Sequence, residues 1–272
     1  MIVRFDRTNP VHLEAMRGLP FSYMSCEFSL AHNAYLIKRH GEWIPVAQDL
    51  IVQHEFPAMF LPHNPENWEW MSITFATKED IEKVRASGVR FIIENSIGTE
   101  FFYKTNSFVN PTGSFKKKVE NFKRKYAYKV LNTYDKEAIK AFFENWKANK
   151  KSQTLTFDES ESAFFFGLEH LDTFGIKQVY VEIDEKLAGL AWGVEHWNGN
   201  WAGLHLKVDY QYRDLSRFLH HERAKLFADH PMFTLGTEAL DKGIAQYKRE
   251  LKPAEERKYT YILTGEFQSN NN

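Results

Sequence analysis

A strand-rich run from Gln178 to Asp209 leads into Tyr212-Arg213-Asp214-Leu215-Ser216-Arg217 and then a long amphipathic helical pattern. A strand that turns through Arg-x-x-Ser-Arg into a helix aims backbone N–H groups and the positive helix end at one spot. Arg213, Ser216 and Arg217 are therefore a candidate anchor for a pyrophosphate or similar acidic group. The competing reading is an ordinary helix start, with Asp214 as cap and both arginines in solvent. Downstream, Glu238 opens an expected helix with an apolar face of Leu240, Ile244, Tyr247 and Leu251, beside which Asp241, Ala245 and Lys248 form a neighbouring stripe. A carboxylate beside a reactive amine can hold that amine or accept its proton. The alternative there is Thr237 as N-cap, with Glu238 complementing the helix dipole. His205 and Lys207 alternate along a strand and share a face. In a cleft they could act as proton acceptor and oxyanion stabiliser; otherwise they line the polar side of an antiparallel sheet.

Other residues exclude chemistry. His220-His221-Glu222 diverge around a helix, the spacing His-Glu-x-x-His is absent, and Cys26 is the lone cysteine. No metal is expected, and Cys26 reads as a small core residue in a reducing compartment. A net charge of −1 gives no global field toward nucleic acid or anionic membrane. A local basic run does exist: Lys116, Lys117, Lys118, Lys123, Arg124, Lys125 and Lys129 alternate with Phe115, Phe122, Tyr126 and Tyr128. It could grip tRNA backbone or a lipid headgroup, or form the solvated face of a helix whose Phe115, Val119 and Phe122 pack inward. No apolar run approaches the roughly 20 residues that span a bilayer, and no signal segment opens the chain, so a soluble, cytoplasmic protein is expected.

The elements that must position these residues fall into two similar halves. In the first, Val11–Leu19 reads as a helix, and Asn33–Lys38 and Trp43–Val46 as strands joined by a turn at Arg39-His40-Gly41-Glu42. A strand Asp49–His54, a helix Lys78–Ser87 and a strand Val89–Glu94 follow. In the second half, Lys136–Lys150 carries a helical stripe of Ile139, Phe142, Phe143 and Trp146, and Ser160–Phe174 is a further helix. Val179–Ile183 turns through Asp184-Glu185-Lys186 into Leu187–Val194, and Asn198-Gly199 signals a type I′ hairpin into Trp201–Val208. A helix Leu215–Ala228, a strand Phe233–Leu235, a helix Glu238–Leu251 and a strand Tyr259–Leu263 complete the order. The tail Ser269–Asn272 reads as frayed.

That order is the order of a GNAT-like N-acyltransferase domain, and the residues resemble a known family. Cys26-Glu27-Phe28-Ser29-Leu30 with Asn33 and Tyr35, Phe102-Tyr103 with Lys116–Phe122, and Trp146 carry the likeness. So do Leu187-Ala188-Gly189-Leu190-Ala191-Trp192-Gly193, His205-Leu206-Lys207, and Glu238, Gly243 and Lys248 with Pro253. Together they resemble the C-terminal, cytoplasmic domain of bacterial phosphatidylglycerol lysyltransferases and its stand-alone relatives. The chain departs from that pattern at Thr234-Leu235-Gly236-Thr237, at Ala245 and at Leu206, where the family carries further polar and charged groups.

The resemblance implies an α+β (α/β layered) protein of two tandem GNAT-like lobes, 1–115 and 116–272, each a mixed central sheet flanked by helices. It implies transfer of an acyl or aminoacyl group from acyl-CoA or aminoacyl-tRNA to an amine or hydroxyl of a small-molecule or lipid acceptor. Arg213, Ser216 and Arg217 would then anchor the donor, Lys207 and Lys248 would stabilise charge, and Glu238 or His205 would accept a proton. The rival expectation is a non-catalytic GNAT-fold binder of RNA or an anionic metabolite; a third is a lipid-modifying enzyme at a membrane surface.

Overall fold

A computed structural model describes residues 2–6, 8–22, 34–47, 58–149, 157–238 and 241–267. In chain order the first elements are β1 (Ile2–Arg4), α1 (Pro10–Arg17), β2 (Ala34–Arg39), β3 (Glu42–Ala47), β4 (Ala58–Met59), β5 (Ser72–Ala76), α2 (Lys78–Ala86) and β6 (Val89–Lys104). Next come α3 (Asn106–Val109), α4 (Gly113–Lys125), β7 (Lys129–Leu131), α5 (Lys136–Ala148), α6 (Phe157–Glu169), β8 (Lys177–Ile183), β9 (Lys186–Glu195) and β10 (Trp201–Val208). The last are α7 (Leu215–Lys225), β11 (Met232–Thr237), α8 (Lys242–Glu250) and β12 (Glu255–Phe267). Contacts divide the chain into two units. One comprises Met1–Phe101, Gly236–Glu250 and Glu255–Asn272; the other comprises Phe102–Leu235 and Leu251–Ala254.

In the first unit β1, β2, β3 and β4 pair antiparallel in turn, β4 runs parallel to β5, and β5 pairs antiparallel with β12. The β2–β3 link is the expected two-residue turn, with Arg39 opposite Glu42 and positive φ at His40 and Gly41. Asn9 caps α1 through the Val11 N–H, Pro10 follows where no helical N–H is needed, and His12 and Met16 face inward one turn apart. Thr77 and Asp80 form a reciprocal capping box on α2, whose Ile81 and Val84 are buried. These side chains join Ile44, Val46, Met71, Ile73 and Ile262 in one core. Burying one such aliphatic side chain stabilises by about 1.5–3 kcal/mol.

In the second unit β7, β8, β9 and β10 form an antiparallel meander, and β11 runs parallel to β10 at Trp201/Phe233 and Ala202/Thr234. On one face α4 and α7 supply Val119, Phe122, Phe218 and Leu219 to pack on Val179 and Val181. The inward packing expected for Val119 and Phe122 is what the structure has, while Lys116, Lys117, Lys123, Arg124 and Lys125 stay exposed. On the other face Phe143 of α5 and Phe164 of α6 stack 4.4 Å apart, and Phe164 stacks on Trp192 at 4.6 Å. Covered on both faces, β9 is buried from Ala188 to Val194 rather than alternating.

The mixed α+β fold agrees with the sequence reading, but several local expectations change. The units do not follow a single cut at 115/116: residues 102–115 cluster with the second unit, and β12 returns to pair with β5 of the first. Asn198 does not have positive φ; residues 196–200 form a longer loop closed by the Glu195–Trp201 rung. Glu238 does not open a helix, because Asp241 caps α8 through the Gly243 and Ile244 N–H groups. On α8 the buried positions are Ala245 and Lys248, whereas Ile244 of the expected apolar face is 44% exposed. The helix α7 is not amphipathic: Arg217, His220, His221, Glu222 and Arg223 are all buried with its apolar residues. Cys26–Leu30, Asn33, the expected strand Asp49–His54, Leu240 and Ser269–Asn272 lie outside the described residues. Among the described residues, no helix is long and apolar enough to cross a membrane.

Candidate functional site

Strand β10 shapes the site of the second unit. Its register against β9 shifts between Gly203 and Leu206, and its parallel pairing with β11 is recorded only at Trp201 and Ala202. His205 and Lys207 do share one face, as alternation requires, but α5 and α6 cover that face. The His205 ring lies edge-on to Phe164 and Trp192, at 5.2 and 5.5 Å between centroids. Burial, then the charges of Lys207 and Arg223, hold its imidazole well below the ordinary range. The ring is therefore neutral at neutral pH and a weak proton acceptor. The Lys207 ammonium sits 4.3 Å from the Trp146 ring centroid and 5.9 Å from that of Phe143. These cation–π contacts help a lysine to occupy a nearly closed site. Neither a solvent-facing strand side nor an open cleft describes this pair.

The turn into α7 separates its two arginines. Asp214 adopts φ 67°, in the left-handed region, and its side chain makes no capping bond. Arg213 donates its backbone N–H to the Tyr126 hydroxyl at 3.2 Å, and its side chain is 85% exposed. Ser216 is half-buried and Arg217 is buried. Arg213 alone thus carries the exposed positive charge of the expected anchor, and Asp214 is not the expected side-chain cap.

Sequence reasoning missed Arg223. It reaches from α7 to the irregularity between β9 and β10, where Nη1 donates to the carbonyl of Trp192 on β9 at 2.9 Å and to that of His205 on β10 at 3.4 Å. Its Nη2 lies 3.0 Å from Nδ1 of His220. A Cβ placed on Gly203 would fall 2.4 Å from that Nη2. The signal was present in the chain, because an isolated glycine inside a strand marks a close approach.

In the first unit the structure brings Glu238 and Lys248 into one buried cluster. The Thr99 N–H donates to Oε2 of Glu238 at 2.7 Å, and the Glu238 N–H donates to the Thr99 carbonyl at 3.3 Å. Lys248 Nζ donates to the carbonyls of Gly236 and Thr237, each at 2.8 Å. Burial pulls the Lys248 amine down from 10.5 to about 8, against the opposing pull of the Glu100 and Glu238 carboxylates. Glu100, only 1% exposed within β6, was also missed. A lone carboxylate in the run Thr99-Glu100-Phe101-Phe102-Tyr103 was the available hint. Among the described residues, no group of three or more His, Cys, Asp or Glu is placed to hold a metal ion.

The sequence matches no family model and no curated protein. Solved structures do share its fold. A conserved protein of unknown function from Bacteroides thetaiotaomicron VPI-5482 aligns over 92% of this chain and 90% of its own, with TM-score 0.72 and 12% identity. L-PGS from Bacillus licheniformis aligns over 94% of this chain and 92% of its own, with TM-score 0.63 and 12% identity. A tandem GNAT protein from the clavulanic acid biosynthesis pathway covers 97% of both chains, with TM-score 0.52 and 9% identity. The likeness expected from the sequence is thus present at the level of fold: this chain shares the mixed α+β fold of L-PGS and of the tandem GNAT protein.

Proposed function

We propose that the protein transfers an acyl or aminoacyl group, from acyl-CoA or aminoacyl-tRNA, to an amine or hydroxyl acceptor. The observation that carries this reading is the bulge at Gly203–Leu206, on a strand that leads directly into the Arg213 turn and α7. Parting strands beside a helix start offer a slot for an acyl arm and a positive end for its acidic carrier. In the reaction the acceptor's nitrogen or oxygen bonds to the donor carbonyl carbon. The thioester C–S or ester C–O bond breaks, and the acceptor's proton passes to a base and on to the leaving group. Arg213, with Ser216 at the half-buried start of α7, is assigned to the donor's acidic end, while the buried Arg217 holds the turn. Lys207 supplies positive potential within its own unit. Within the first unit the buried Glu238 and Lys248 are a pair suited to proton handling, and within the second unit His205 is too weakly basic to be favoured as the acceptor.

A second reading, a non-catalytic binder of RNA or an anionic metabolite, draws on Arg223. Its guanidinium already takes up bulge carbonyls that an acyl arm could use. The exposed cations Lys116, Lys117, Lys123, Arg124 and Lys125, with the half-buried Lys118, would then serve tRNA or other RNA. Thermal stabilisation separates the two readings, since a ligand bound by the native state alone raises Tm. Acyl-CoA raising Tm more than free CoA supports thioester transfer, and charged tRNA raising it more than uncharged tRNA supports an aminoacyl donor. Equal response to charged and uncharged RNA, with no product formed, supports the binder. Full transfer activity in both Glu238→Gln and Lys248→Ala would remove that pair from the assignment.

A further inference from the structure

The N-terminal part of β6 is an open strand edge. From Thr105, whose N–H donates to the Pro231 carbonyl, to Thr99, whose carbonyl accepts from the Glu238 N–H, β6 is flanked by β11. Residues before Thr99 have β12 on one side, where a Cβ placed on Gly265 would fall 3.2 Å from Nε of Arg90 and 3.3 Å from Cδ1 of Ile92. Among the described residues, no strand pairs with them on the other side. Ile92, Ile93, Glu94, Asn95 and Ser96 are consecutive exposed positions, with Ile92 45% and Ile93 36% exposed. Successive strand residues point to opposite faces, so both faces are bare there as well as the edge. Edge strands are ordinarily blunted by lysine, proline or a bulge, yet the run Arg90-Phe91-Ile92-Ile93-Glu94 holds neither lysine nor proline.

The residues of this edge are complementary to themselves. Two copies paired antiparallel about a two-fold axis at Ile92 set Arg90 of each copy opposite Glu94 of the other. Ile92 then meets its own symmetry mate, and Phe91 meets Ile93. Moving the axis to Ile93 would put Ile92 opposite Glu94, and moving it between Ile92 and Ile93 would put Phe91 opposite Glu94, so the match belongs to one register. The charges are available for it. Arg90 is exposed and forms no ion pair among the described residues, while Glu94, engaged by Arg85 of α2, keeps its side chain 39% exposed. We propose that the protein forms a two-fold homodimer by antiparallel pairing of its Arg90–Glu94 edges. The pairing gives the outward backbone N–H and C=O groups their partners and uses no residue of the proposed donor site.

Sedimentation velocity across a dilution series of the full chain tests this, and a concentration-dependent dimer is expected. Arg90→Glu and Glu94→Lys each turn both charged rungs into like-charge pairs, and each should weaken association at least about tenfold. Mixing those two variants returns opposite charges to both rungs and should restore the dimer, a result that a folding defect cannot produce. Ile92→Lys, at an exposed position, sets two ammonium groups across the axis and should also leave a monomer. The proposal is overturned by a monomeric wild type throughout the series, or by a dimer indifferent to Arg90→Glu and Ile92→Lys. A mixture that stays monomeric while each variant unfolds cooperatively would overturn it too.

Discussion

Lys248 is the residue whose environment differs most usefully from water. Its amine titrates near 8 in the folded chain and near 10.5 when exposed. Between those values the unfolded chain holds a proton that the folded chain has lost, so stability rises with pH across that window and is flat on either side. Wild type should therefore gain on Lys248→Met from pH 8 to 10.5, by at most about 3 kcal/mol, in paired denaturant titrations. A difference that stayed constant or shrank across that range would mean the amine is not buried as described. Gly203 is the second test at this scale. Gly203→Ala drives a methyl into the Arg223 guanidinium, which its carbonyl partners hold in place, and into Leu235. It should destabilise by about 1–3 kcal/mol, and a neutral result would show that Arg223 can step aside.

At the scale of elements, Asp184 and Glu185 both take positive φ in the two-residue β8–β9 turn between Ile183 and Lys186. Asn-Gly suits that type I′ geometry better, so the double change Asp184→Asn with Glu185→Gly should stabilise by about 0.5–1 kcal/mol on thermal unfolding. Unchanged or lower stability would argue against the turn type. This hairpin, like the one at His40-Gly41, was legible because a short polar turn separates two apolar-rich strands within a dozen residues. The start of α8 was not legible, because Thr237 and Asp241 are both good caps and two stripes compete along the helix. Burial went to the stripe with Lys248, since its amine could satisfy the Gly236 and Thr237 carbonyls. The Asn198-Gly199 signal likewise named a turn correctly but not the length of the loop around it.

For the molecule as a whole, the least legible feature is the return of β12. Its Tyr261 hydroxyl accepts from Ser72 across 189 positions, and Thr264 accepts from the Met71 N–H across 193. No local window of sequence carries such a pairing, which is why a single cut at 115/116 looked natural. Truncating the chain before Glu255 should strip hydrogen-exchange protection from β5 while leaving β8 to β10 protected; equal loss in both sets would show that the two units unfold together. The meander β8 to β10 and the helices around it were readable, and so were Glu238 with Lys248 and His205 with Lys207 as neighbours, whereas β1, β5 and β7 were not. Glu100 and Arg223 were not, because a buried charge is disclosed only by what closes over it. The central claim is group transfer from a donor held at the start of α7. Radiolabelled acyl-CoA and radiolabelled aminoacyl-tRNA, each offered with a mixed amine and hydroxyl acceptor pool, test it by following label into product. The account predicts turnover with one of the two donors, and loss of at least about tenfold in Arg213→Glu. No labelled product from either donor, or full turnover in Arg213→Glu, would contradict it.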